Sequence, residues 1–150
     1  MRAVVQRVAA ARVEVAGQIV GQIAKGLVAF VGIGKNDTDS DAEYLVDKIV
    51  LLRVFEDEQG KMNRALADVA GGLLIVSQFT LYGDVRRGRR PGFDDAMPPA
   101  PAERLYDSLV ARAKALHPIV ETGRFRADMR VVVDNDGPVT ILLETPTPER

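Results

Sequence analysis

Two continuous apolar runs constrain the fold of this chain more than any other feature. They cover Leu27–Ile33 and Leu73–Val76, and the second opens a predicted strand that reaches Gln78. Neither run alternates between polar and apolar residues, so each suits a strand that is buried on both faces. The sequence therefore predicts a sheet that other elements must cover.

Two helices with apolar stripes are available to cover this sheet. Ser40 and Glu43 form a capping-box pattern, which predicts a helix through about Leu52. A longer helix is predicted from about Pro101 to His117, and Pro118 stops it. Its apolar stripe consists of Ala102, Leu105, Tyr106, Leu109, Val110, Ala113 and Leu116. Further strands are predicted over residues 2–8, 11–16, 19–24, 53–56, 129–134 and 139–144, with a hairpin between the second and the third.

The predicted fold is a single compact α/β domain over residues 1–150. Its β-rich core is a mixed or antiparallel sheet, or is barrel-like, and two main helices cover it. Residues 145–150 are expected to form a flexible tail. No apolar run is long enough to span a membrane, and Gln6 and Arg7 interrupt the stretch that a secretory leader would keep apolar. We therefore expect a cytoplasmic protein with no membrane partner.

Missing residue types exclude several chemistries. The chain has no cysteine, which rules out disulfides, thiolate metal sites and a thiol nucleophile. Its one histidine, His117, is expected to end a helix and interact with the helix dipole, so a Ser-His-Asp triad is disfavoured. No residue pattern indicates a metal, and no cofactor is expected.

Polar side chains end the second apolar run, in the segment Ser77-Gln78-Phe79-Thr80-Leu81. In a regular strand, Ser77 and Thr80 would lie on opposite faces. If the strand ends or bends near Phe79, both hydroxyls and the Gln78 amide converge on one cleft, as expected at a ligand site. The alternative is that the hydroxyls only satisfy backbone groups at the end of the strand.

The segment Asn135-Asp136-Gly137-Pro138-Val139-Thr140 separates the last two predicted strands. Asp-Gly followed by proline predicts, first of all, a hairpin turn. The functional interpretation rests on Pro138, which has no N–H and makes a cis peptide bond less costly. A rigid surface of carbonyl acceptors suits an ammonium group, which has three donors and no acceptor.

Arginine dominates the basic residues. The net charge is −1, which argues against broad nucleic-acid coating, and no DNA partner is expected. Fifteen arginines against five lysines suit phosphate binding, although a biased genomic base composition produces the same excess.

The longest irregular stretch, residues 83–101, contains Arg86, Arg87, Arg89 and Arg90. These arginines either form a solvated, mobile run or bind phosphates. Phe125, between Arg124 and Arg126, either stacks on a base or packs in the core.

These segments resemble the D-aminoacyl-tRNA deacylases of the D-Tyr-tRNA deacylase type. The resemblance extends from Ala3–Val8 to Leu143 and includes Gly60–Asn63, Ser77–Leu81, Arg89–Phe93 and Asn135–Thr140. Two positions depart from the family pattern. Arg126 stands where the family usually has a small residue, and Gly92 stands where serine is common. Neither departure is expected to abolish activity.

The resemblance implies an activity, a substrate and an assembly. It implies hydrolysis of the ester that joins a D-amino acid, or glycine carried on tRNA, to the terminal adenosine of tRNA. It also implies a homodimer with active sites at the interface. There a cis Gly137–Pro138 unit enters the partner subunit's site, meets the α-ammonium and excludes L side chains. The implied catalytic segment is Ser77, Gln78, Phe79 and Thr80, and the implied adenosine or tRNA contacts are Phe125, Met129 and the four loop arginines.

The residue inventory is consistent with catalysis by positioning. The ester is already activated, and orientation alone contributes roughly 7–11 kcal/mol in favourable cases. Thr80 is disfavoured as a covalent nucleophile because no general base is visible to activate it. Two other classes remain open. A non-catalytic tRNA-binding or nucleotide-binding module would release no amino acid, and a purely structural homodimer would be indifferent to Gly137→Ala.

Overall fold

The computed structural model describes residues 1–147. Its strands are β1 (Arg2–Val15), β2 (Gln18–Ile23), β3 (Gly26–Gly32), β4 (Phe55–Glu56), β5 (Met62–Arg64), β6 (Gly72–Ser77), β7 (Val120–Thr122) and β8 (Arg130–Glu144). The helices are α1 (Asp39–Leu51) and α2 (Pro99–Leu116), and short 3-10 turns cover Ala67–Val69 and Phe79–Tyr82. In these residues no helix is long and apolar enough to span a membrane.

One mixed sheet organises the domain. Its main path runs β2-β1-β3-β6-β7, and β8 pairs with the long strand β1. β3 and β6 are parallel, as are β6 and β7, whereas β1 is antiparallel to each of its three neighbours. β2 lies against β7, so the sheet curls until it is nearly closed. The predicted α/β domain with a barrel-like sheet and two helices is confirmed.

The sheet separates two hydrophobic cores, and β3 and β6 contribute to both. Leu27 and Leu73 belong to the larger core, which α1 and α2 cover. Val28 and Leu74 belong to the smaller core inside the curled sheet. Both apolar runs are therefore buried on both faces, as the sequence predicts.

Both helices begin earlier than predicted. Thr38, in an extended conformation, is the N-cap of α1, and its N–H donates to the Asp41 carboxylate at 2.8 Å. The cap is therefore Thr38 with Asp41, not Ser40 with Glu43. Helix α2 begins at Pro99, because proline fits the first turn, where no N–H partner is needed. The apolar stripe of α2 ends before Leu116, which is 48% exposed.

The predicted hairpin around Gly137–Pro138 is wrong. β8 is one strand whose two halves both pair with β1, at Asn135 opposite Val8 and at Thr140 opposite Gln6. The residues Asp136–Val139 stand opposite Arg7 alone. They form a bulge in a continuous strand, in which Asp136, Gly137 and Pro138 are exposed and Val139 is buried in the larger core.

The predicted tail is also wrong at its first residue. Thr145 is buried, and its N–H donates to the Met1 carbonyl at 2.9 Å. The last part of the predicted tail, residues 148–150, lies outside the described residues.

Close contact between β3 and β6 makes Gly26→Ala a sharp test of this packing. A Cβ at Gly26 would lie 2.7 Å from the backbone N and C atoms of Gly72. We expect the substitution to lower the free energy of unfolding by about 3 kcal/mol, the upper range for overpacking, in urea titrations. Gly92→Ala adds the same methyl group where the nearest atom is 4.0 Å away and is the control. Equal stability of the two variants would contradict the packing.

Candidate functional site

The candidate site begins where β6 ends. The Gln78 N–H donates to the Val31 carbonyl of β3 at 2.7 Å, and the chain then turns into the 3-10 segment Phe79–Tyr82. Because β6 stops at Ser77, the polar segment leaves the sheet at the carboxyl ends of two parallel strands. This edge is where open parallel sheets ordinarily bind ligands.

A cavity of about 570 Å³ opens at this edge. Ser77, Gln78 and Phe79 line it, together with Phe125 and Met129 from the segment before β8. Thr80 lies beside the cavity, where its Oγ1 accepts a hydrogen bond from the Gln78 side-chain amide. The structure thus brings together two sets of candidate residues that are far apart in sequence.

Aromatic and apolar side chains complete the cavity. Phe79 is 59% exposed and contacts Phe93 edge-on, with ring centroids 5.1 Å apart. Phe93 and Met97 line the cavity but were not identified individually as site residues from the sequence. Their only sequence signal is the long irregular stretch that precedes α2. Long loops of this kind are commonly functional.

Arg2 and Tyr82 support the 3-10 turn from outside the cavity. The Arg2 guanidinium donates to the Leu81 carbonyl at 3.1 Å and lies 4.4 Å above the Tyr82 ring centroid. Burial raises the pKa of the Tyr82 hydroxyl, so this group stays protonated near neutral pH. It therefore offers no general base to the site.

Among the residues that the structure describes, no conventional nucleophile-base pair lies at the cavity. His117 is buried in an extended conformation, with Nε2 2.6 Å from the Gly71 carbonyl oxygen. Its main partner is thus that carbonyl rather than the α2 dipole, and it does not line the cavity. In residues 1–147, no group of three histidine, aspartate or glutamate side chains is placed to hold a metal ion.

The arginine loop is closed at its base and lies next to the cavity. Asp84 and Gly92 exchange two backbone hydrogen bonds, of 2.7 and 2.9 Å, and Phe93 follows directly. Arg86 donates to both carboxylate oxygens of Asp84, at 2.9 and 2.8 Å. One of the four predicted phosphate-binding arginines is therefore neutralised within the loop. Arg87, Arg89 and Arg90 are exposed and make no salt bridge in residues 1–147.

Gly137 and Pro138 do not line this cavity in one chain. Their peptide bond is cis, Gly137 has φ +125°, and both residues are exposed. The bulge lies opposite Arg7, which pairs with Leu27, whereas Ser77 pairs with Val31. The separation along β3 is thus about 13 Å.

Hydrogen bonds from buried and half-buried side chains hold the bulge. Arg7 is 7% exposed and donates to the Asp136 carbonyl at 3.3 Å and to the Val54 carbonyl at 2.8 Å. The Asn135 amide donates to the Arg7 and Val139 carbonyls, each at 3.0 Å. The Gly137–Pro138 unit is therefore presented on a fixed support at the surface.

Comparisons with known proteins show which family this chain resembles. Residues 4–144 match the family described as D-Tyr-tRNA(Tyr) deacylase. Proteins named D-aminoacyl-tRNA deacylase from Sorangium cellulosum and Thermosipho melanesiensis are 64% and 58% identical to the chain over 146 residues. Both alignments cover 97% of this chain and 97% of the relative.

Two solved structures share this fold. A c-Myc DNA unwinding element binding protein superposes with a TM-score of 0.93 at 43% identity, covering 98% of this chain and all of that one. A probable eukaryotic D-amino acid tRNA deacylase superposes with a TM-score of 0.82 at 16% identity, covering 95% and 97% of the two chains, and this likeness concerns the fold alone. The family match and the curated relatives identify a hydrolase of the aminoacyl-tRNA deacylase class. The chain belongs to the D-Tyr-tRNA(Tyr) deacylase family.

The Asp84–Arg86 contact generates a prediction about charge in the arginine loop. The side-chain hydrogen bond from Arg86, followed by its backbone N–H, lowers the pKa of Asp84 from 3.8 to about 2. The stabilisation from this contact is thus fully present above pH 3.8, and the contact itself is lost as the pH falls through about 2. We expect Arg86→Ala to move the Asp84 midpoint up toward 3.8 in a carboxyl-carbon NMR titration. Arg87→Ala should leave it in place, and an unchanged midpoint in Arg86→Ala would refute the assignment.

Proposed function

We propose that this chain hydrolyses the ester joining a D-amino acid, or glycine carried on tRNA, to the terminal adenosine of tRNA. One observation carries the proposal: Ser77, Gln78 and Phe79 share a single cavity with Phe125 and Met129. The cavity combines a mostly apolar lining with a few convergent polar groups, as small-molecule sites commonly do. Its volume of about 570 Å³ suits an acylated nucleoside.

In this proposal the segment Ser77–Thr80 holds the acyl carbonyl and the ribose, while Phe125 and Met129 contact the adenine. The Gln78 amide donates to Thr80, so its carbonyl oxygen remains available as an acceptor. None of the described residues that line the cavity acts as a strong base. The chain therefore accelerates attack by water through orientation and through hydrogen bonds to the developing oxyanion.

We further propose a homodimer in which the Gly137–Pro138 unit of one subunit completes the cavity of the other. The unit is exposed and is displaced from its own cavity by about 13 Å along the strand direction, so a second copy is needed to join them. Within residues 1–147, β8 pairs with β1 alone, and Leu142 on β8 is 77% exposed. This unpaired edge offers a surface for the second copy.

Substrate chirality follows from this arrangement. The carbonyls of the Gly137–Pro138 unit accept hydrogen bonds from the α-ammonium, and the rigid bulge occupies the space that an L side chain would need. Glycine has no side chain to exclude and is accepted. Arg87, Arg89 and Arg90 bind phosphates of the tRNA next to the cavity. Such a substrate implies a cytoplasmic location.

The first test compares release of amino acid from D- and L-aminoacyl-tRNA. We expect rapid discharge of only the D form by the wild-type chain, and we expect Gly137→Ala to lose at least about tenfold in D activity or in stereoselectivity. An added Cβ would lie 3.0 Å from the Arg7 guanidinium, at a backbone φ that side chains rarely adopt. Gly17→Ala, which also has positive φ but has no neighbour within 4 Å, is the control. Binding of aminoacyl-tRNA without any release would favour a non-catalytic binding module.

A second test asks whether the two motifs act across the interface. Gln78→Ala impairs the cavity and Gly137→Ala impairs the bulge, so, where the first test shows that Gly137→Ala has lost D activity, each homodimer should be inactive toward D-aminoacyl-tRNA. In a mixed dimer, one site combines an intact cavity with an intact bulge. Equal co-expression should therefore restore about a quarter of the wild-type activity if partners assort at random. If both motifs acted within one chain, the mixed dimers would stay inactive.

A further inference from the structure

Among the described residues 1–147, Arg126 is the only ionisable residue that lines the cavity. The other lining side chains are apolar, apart from the neutral polar groups of Ser77 and Gln78. Arg126 is exposed, so its guanidinium can meet an anionic group of a ligand that occupies the cavity.

The backbone of Arg126 adds a second, independent observation. The residue has φ +62°, in the left-handed region, within a turn closed by the Ala127 N–H and the Arg124 carbonyl at 3.2 Å. Glycine or asparagine ordinarily occupies such a position. Arg126 thus places a long charged side chain at a position whose backbone conformation would suit glycine better, which is the kind of local strain that clusters at functional sites.

Among the described residues, no acidic side chain pairs with Arg126. Arg130, on the same segment, lies 4.0 Å from Glu14, whereas Arg126 makes no salt bridge within the described part of the chain. Its guanidinium is therefore free to bind an external anion. A guanidinium binds phosphate in a planar, bidentate geometry.

From these observations, and resting on the proposed function, we infer that Arg126 binds the phosphate on the 5′ side of the terminal adenosine. Arg126 directly follows Phe125 and lies three residues before Met129, the two residues proposed to contact the adenine. The α-ammonium of the substrate is positive, and the nucleoside is neutral. The phosphodiester is thus the anion that enters with this end of the tRNA.

The probes are two non-hydrolysable D-aminoacyl-adenosines with an amide in place of the ester, one with and one without a 5′-phosphate. We expect the wild-type chain to bind the phosphorylated probe about tenfold more tightly in calorimetry. Arg126→Gly should abolish this difference while leaving affinity for the unphosphorylated probe unchanged. Arg126→Lys should retain part of it. The thermal midpoint of Arg126→Gly should equal or exceed that of the wild type, because glycine suits the backbone conformation.

Arg124→Gly is the matched control, since it removes the same charge from the same turn without altering the cavity lining. It should keep most of the preference for the phosphorylated probe. The inference is overturned if the wild type shows no preference, if Arg126→Gly keeps the preference, or if Arg124→Gly loses it equally. Equal weakening of both probes in Arg126→Gly would indicate a structural role and would also overturn it. Because binding is measured without turnover, a failure of the proposed catalysis is seen separately in the release assay.

Discussion

The parallel contact between β3 and β6 is the constraint on which the rest of the structure depends. It buries both strands on both faces and brings Gly26 and Gly72 so close that no side chain fits between them. Because the strands are parallel, they end at the same edge, where the Gln78 N–H bonds to the Val31 carbonyl. The polar segment after β6 leaves the sheet at this point, so the site is a consequence of the core packing.

Much of this could be predicted from local sequence, and the failures share one cause. The runs that form β3 and β6 are apolar throughout, so their burial is encoded locally. The segment around Gly137–Pro138 contains ordinary hairpin signals, yet it is a bulge because β1 pairs with β8 on both sides of it. That pairing joins residues more than a hundred positions apart in the chain, so the sequence around Gly137–Pro138 does not reveal it. The cap of α1 was misplaced because Thr38 with Asp41 matches the same pattern as Ser40 with Glu43.

The candidate site was only partly predictable for the same reason. Ser77 to Thr80 are recognisable because polar groups at the end of an apolar run are unusual. Phe93 and Met97 are ordinary apolar residues in a loop, and only the path of that loop over the sheet places them at the cavity. The separation between the cavity and the bulge depends on how β1, β3, β6 and β8 pair with one another. It therefore cannot be predicted from the sequence of any one strand.

Arg7 makes the bulge rigid, and rigidity affects how a surface segment recognises a ligand. Its guanidinium joins the Asp136 carbonyl to the Val54 carbonyl and is itself almost completely buried. A protruding segment fastened from beneath in this way is organised before any ligand arrives, so little entropy is lost on encounter. In the proposed function, such a segment would select ligands by its fixed shape and not by closing over them. Its accuracy would then depend on the shape of the incoming molecule and not on the speed of a conformational change.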